Sequence, residues 1–187
     1  ERSSPPQSST SLSAVPDSSE GSAALERLEQ LGVVIKPFAD AETEVEGLLV
    51  RLDHPHVEGG HVRKEVLSGM RGLPNFTLEI RRTKLRDDGL SDLVSLSNLQ
   101  GLDVTAHGIT AGGMPFIGKL HELRLLDLTG NSPDDASLEH LRGLQELRFL
   151  SLNLAPIGDA GLKHLGALPS LRRLQLAGTS ISGEGLA

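Results

Sequence analysis

The chain has no cysteine, no tryptophan and no tyrosine, and its aromatics are four phenylalanines in 187 residues. Without thiols there can be no disulfide, no thiolate nucleophile and no thiolate metal site. So few rings leave no platform on which nucleobases or sugars could stack. No apolar run approaches the ~20 residues of a membrane-spanning helix. Acidic side chains outnumber basic ones by 25 to 18, a net charge of −7, which argues against nucleic acid as a partner. Gly112-Gly113 stands outside any phosphate-cradling glycine run, and no Gly-x-Ser-x-Gly elbow occurs. No catalytic set, cofactor or metal is therefore expected.

Leucine is what the chain has in abundance, and it recurs with a period. Leu174 and Leu176 step back by 24 positions to Leu150 and Leu152, Leu126 and Leu128, Leu102 and Val104, then Leu78 and Ile80. Leu162, Leu165 and Leu168 step back to Leu138, Leu141 and Leu144, then to Met114, Ile117 and Leu120, then to Leu90, Leu93 and Leu96. A repeat of this length cannot bury its apolar edge alone, so successive units must stack into a solenoid. Within a unit, Leu174 and Leu176 alternate with polar residues, as in a strand with one buried face. The leucines at three-residue steps belong to a returning helical arm, which Asp159 is placed to cap in its own unit.

The unit written in Leu171, Leu174, Leu176, Thr179 and Ile181, with Asp159, Gly161 and Leu162 opening the arm one unit earlier, resembles the leucine-rich repeats of short bacterial proteins. Those are related in pattern to ribonuclease-inhibitor-like and F-box-associated repeats. The resemblance implies an α/β solenoid with a parallel sheet on its concave side and helices on its convex side. It also implies a non-enzymatic scaffold that binds a protein. The match is good over 75–187 and looser over 47–74, and the unit from Leu123 departs most, with Asn131, Pro133 and Ser137.

Residues 1–21 hold eight serines and three prolines and read as a disordered tether. A chain that begins at Glu1 behind such a tether is expected to be exported and already processed, although a cytosolic protein with a disordered start is the blander reading. Residues 22–46 read as an N-terminal cap. It comprises a helix with Ser22 at its start and Gly32 at its end, followed by a short strand at Val33-Val34-Ile35. The solenoid follows over 47–187, with an irregular first repeat at 47–74, regular repeats over 75–187 and an incomplete last one. An uncapped final coil could stack on a second copy through Gly185-Leu186.

Residues that alternate with the core leucines form columns across the concave sheet. One column runs Thr77, Gly101, Leu125, Phe149, Arg173, and the next Glu79, Asp103, Asp127, Ser151, Gln175. Leu125 and Phe149 form an apolar pair on a face where polar residues would serve. Glu79, Asp103 and Asp127 stack like charges that want a cation. We therefore expect partner-binding residues at Leu125, Phe149, Asp103, Asp127, Arg173 and Gln175, suited to a basic partner with an apolar anchor. The simpler alternative is that the apolar pair covers itself and the carboxylates are solvated. The carboxylate strip also has the spacing of a retaining glycosidase pair, but it lacks anything that would split two pKa values. Asp53, His54, His56 and His61 could gather around a metal such as zinc, against the plainer reading of a solvated loop. His140 and His164 share one arm position a unit apart, which duplication explains.

Overall fold

The computed structural model describes residues 19–41, 43–182 and 184–185. A helix, α1 (Ser19–Gln30), opens the chain and buries Ala24 and Leu28. It takes in Ser22 rather than being capped by it, and it includes Ser19–Gly21, which composition had assigned to the tether. Gly32, at φ +78, ends it in the left-handed region that glycine tolerates best.

Strand β1 (Val34–Asp40) then pairs antiparallel with β2 (Val45–Leu52), so the expected short strand is in fact the first arm of a hairpin. β1 accommodates Pro37 because it is an edge strand, where a missing N–H breaks no ladder on the outer side. A short 3-10 turn (His54–His56), a two-residue pair β3 (Val57–Glu58) and β4 (His61–Val62), and the helix α2 (Lys64–Met70) complete the first coil.

From there the coils regularise into β5 (Phe76–Ile80), β6 (Leu99–Asp103), β7 (Leu125–Asp127), β8 (Phe149–Ser151) and β9 (Arg173–Gln175). The sheet order is β1-β2-β5-β6-β7-β8-β9, parallel from β2 onward. Val50 pairs with Leu78 across the irregular coil, whereas Leu102, Leu126, Leu150 and Leu174 align at intervals of 24. Their side chains meet the convex arms in one continuous core, in which each fully buried leucine contributes about 1.5–3 kcal/mol. The chain is a leucine-rich-repeat solenoid.

The arms are tighter than an α-helical reading predicts. Asp88–Ser95 and Ala136–Gly143 are 3-10 helices, while α3 (Met114–Ile117) and α4 (Asp159–Leu165) are short α-helices. In the 3-10 arms Leu90, Leu93 and Leu96, or Leu138, Leu141 and Leu144, share one buried face at three residues per turn, while the same spacing in α3 and α4 is met by short α-helical turns.

Asp159 does not cap its own helix. Its carboxylate accepts the Ser182 N–H at 2.8 Å and the Ser182 hydroxyl at 2.7 Å, from the next coil. Asp87 does the same for Thr110 and Asp135 for the Gly158 N–H. These aspartates therefore staple neighbouring coils instead of ending helices.

Candidate partner-binding surface

Strand register fixes which side chains share the concave face. Thr77, Gly101, Leu125, Phe149 and Arg173 are paired in one column, and Glu79, Asp103, Asp127, Ser151 and Gln175 in the next. Leu125 and Phe149 are half-buried, in contrast to Leu126 and Leu150 beside them, which are sealed in the core. In the preceding coils their column holds Thr77 and Gly101, so the apolar pair is confined to β7 and β8. Gly101 keeps the column low, since a Cβ there would lie 2.4 Å from Thr77 Oγ1.

The acidic column is not the uniform strip expected. Glu79 is 6 % exposed, and its two carboxylate oxygens are held by Arg51 on one side and Arg81 on the other. The cation that this carboxylate requires thus comes from the chain itself. An acid or nucleophile gripped at both oxygens is also badly placed to pair with Asp103 in glycoside chemistry. Asp103 accepts both the N–H and the hydroxyl of Thr105, at 3.0 and 2.8 Å, and Arg81 approaches its other oxygen at 3.8 Å. Asp127 accepts the Thr129 N–H at 2.8 Å through Oδ1. Gln175 accepts from the Asn153 amide at 3.0 Å, and Arg173 stands exposed on β9 beside it. Towards the N-terminal end, Arg51, Arg81, Arg82, Asp53 and Asp103 border a hollow of about 530 Å³.

The histidines of the first coil separate. His56 is buried, with Nδ1 accepting the Asp53 N–H and Nε2 donating to the Leu31 carbonyl. His61 turns to Asp92 and Asp88 on the next arm, and His54 is exposed. Among the described residues no three His, Asp or Glu side chains converge as a metal would require.

One element of the surface escaped the sequence reading. The tip of the β1–β2 hairpin reaches the starts of β7, β8 and β9. Arg124 donates to the Glu44 carbonyl at 3.1 Å, and Arg148 donates to the Thr43 carbonyl at 3.1 Å and pairs with the Glu44 carboxylate. Arg172 donates to the same carboxylate at 2.8 Å. These arginines directly precede Leu125, Phe149 and Arg173, so the tip lies alongside the apolar pair. The two guanidiniums hold the Glu44 carboxyl below its ordinary value, Arg148 contributing most. Thr43 and Val45 are buried there. Three arginines at the repeat interval were the available signal, but nothing in the sequence pointed to a partner 80–128 residues away.

Comparison with known proteins supports the architecture. No protein-family model matches the chain, and no curated protein does. Among solved structures, it is similar to an internalin, InlF, from Listeria monocytogenes, at 26 % identity and a TM-score of 0.54 over 68 % of this chain. The chain spans 35 % of that internalin's length. A match to the leucine-rich-repeat ectodomain of the receptor kinase SOBIR1 from Arabidopsis thaliana has 18 % identity and a TM-score of 0.45, covering 88 % of this chain and 95 % of that one.

Proposed function

We propose that the protein is a non-enzymatic scaffold that binds a protein partner on the concave face of β6–β9. Leu125 and Phe149 serve as anchors, and Asp103, Asp127, Arg173 and Gln175 set the polar complement. The observation that carries this reading is the register pairing of two half-exposed apolar residues on a face whose equivalent positions are Thr77 and Gly101. With Glu79 neutralised by Arg51 and Arg81, the demand for a basic group on the partner rests on Asp103 and Asp127. The Ser/Pro-rich composition of residues 1–18, which lie outside the described residues, supports work outside the cytoplasm.

The test is affinity capture from the native source with the wild-type chain and with Leu125→Arg/Phe149→Arg, after circular dichroism has shown that both fold. A protein retained by wild type alone, with Kd raised about thirtyfold or more in the variant, supports the reading. Equal retention by both moves the site off the concave face.

A second reading is association between copies at the last strand. Leu174 and Leu176 are half-buried, whereas the equivalent Leu150 and Leu152 are sealed, and β9 is paired on one side among the described residues. Gly185 is described and Leu186 lies outside the described residues. A sedimentation velocity series that stays monomeric at high concentration removes this reading.

A further inference from the structure

The arginine row at the strand starts invites a closer question, because its occupant comes from so far away in the chain. Backbone pairing aligns the three: the Arg148 N–H donates to the Arg124 carbonyl at 2.8 Å, and the Arg172 N–H to the Arg148 carbonyl at 2.9 Å. Successive guanidiniums therefore rise at about the 4.8 Å interval of a sheet. Arginine presents a planar fork of N–H donors that suits a carboxylate, and a row of three suits a run of them. Among the described residues one carboxylate, Glu44, serves two of the three, and the main-chain carbonyls of Glu44 and Thr43 accept from Arg124 and Arg148.

The occupant is not a settled part of the core. The Glu44 side chain is half-exposed, and its backbone sits at φ +51, in the left-handed region that a glutamate rarely adopts. The Thr43 hydroxyl beside it is buried and finds no hydrogen-bond partner among the described residues. The tip joins the sheet through Gly47, at φ +149, where a Cβ would fall 2.0 Å from the Asn75 carbonyl oxygen. Gly47 pairs with Phe38 of β1 and stands just before the part of β2 that pairs with β5, which begins at Leu48, so within the sheet the tip is held by β1 alone.

We propose that Arg124, Arg148 and Arg172 form a docking row for an acidic, extended peptide segment of the partner, and that Glu44 is the intramolecular stand-in which such a segment displaces. This inference rests on the concave-face reading, since it names the chemistry recognised along one edge of that surface. The partner segment carries Asp or Glu residues against the row and an apolar side chain towards Leu125 and Phe149. Displacing the hairpin tip makes binding competitive within the chain, so the tip lowers the affinity of weak acidic competitors.

The test uses a fluorescently labelled peptide of alternating Glu and Ser, titrated at low ionic strength into the full chain, with a Lys/Ser peptide as control. Wild type binds the acidic peptide and releases it as salt is added, and Glu44→Gln binds it about tenfold more tightly because the stand-in is gone. Arg148→Gln loses the binding. Should that variant fail to fold, Glu44→Gln decides alone, since its side chain is half-exposed. Equal or weaker binding by Glu44→Gln overturns the proposal, as does saturation by the Lys/Ser peptide or no binding to either protein. The two readings fail separately. Acidic-peptide binding that survives Leu125→Arg/Phe149→Arg keeps the row when no partner needs the anchors. A captured partner that ignores Glu44→Gln and Arg148→Gln keeps the anchors and sinks the row.

Discussion

A single turn position in each regular coil, from β5 to β9, shows how unevenly the residues serve one backbone. Arg82, Ala106, Gly130, Leu154 and Gly178 stand 24 apart, and all have φ between 53° and 72°. Glycine meets that demand freely, whereas a side chain in the left-handed region costs about 1 kcal/mol. Leu154 also spends its side chain in solvent, at 66 % exposure. Leu154→Gly is expected to raise stability by about 1 kcal/mol, read as a shift in the urea midpoint with unchanged slope. Another slot behaves in the opposite way. Asn131 accepts the Ile109 N–H and donates to the Val104 and Leu128 carbonyls, and one coil earlier His107 accepts the Leu85 N–H and reaches the Ile80 carbonyl. Asn131→Ala strands those buried backbone groups and is expected to cost about 3 kcal/mol in the same assay. Both slots can be located from the repeat interval. Their energetics could not be read from it, because Asn131, His107 and Ala155 share a position without sharing a chemistry.

At the scale of elements, the coils are joined by more than their sheet. The staple from Asp159 to Ser182 holds the Asp159 carboxyl below its ordinary value of 3.8, chiefly through the Ser182 hydroxyl. A lowered folded-state pKa means the staple contributes fully above that ordinary value. The contribution is lost as pH falls through the lower folded-state value. Acidification should therefore speed amide exchange at Ser182 beyond its intrinsic change, and Asp159→Asn should remove that pH dependence. The Glu44 carboxyl is lowered by Arg148 and Arg172, so acid should release the hairpin tip in the same sense. The repeat pattern located these arms and strands well, since three-residue leucine steps and alternating strand residues leave few alternatives. It misassigned Asp159 because a capping aspartate and an inter-coil staple have the same sequence. The hairpin tip was invisible for a different reason: its contacts cross most of the chain, and a periodic pattern reports neighbours alone.

Across the whole molecule, one continuous core makes the column assignments decisive. Leu150 is sealed and Phe149, one residue away, faces the concave side. Leu150→Arg should bury an unpaired charge and cost about 4 kcal/mol or more, enough to abolish cooperative melting in a marginal domain. Phe149→Arg should leave the melting temperature nearly unchanged. Reversal of that contrast would mean that the strand faces are inverted. The core faces were legible because burial repeats with the leucines. The charge pattern of the surface was not, because Glu79 takes one counterion from Arg51, across a coil whose offset is 28 rather than 24, and the other from Arg81, two residues along its own coil.

The two ends of the sheet differ in a way that bears on symmetry. At one end β1 runs against its neighbour and carries Pro37, which blunts that edge as a template for further strands. A head-to-tail filament needs two complementary edges, one on each side of every subunit. Among the described residues the unblunted edge is that of β9. An association that used this edge on both partners would join like to like about a twofold axis and close at a pair.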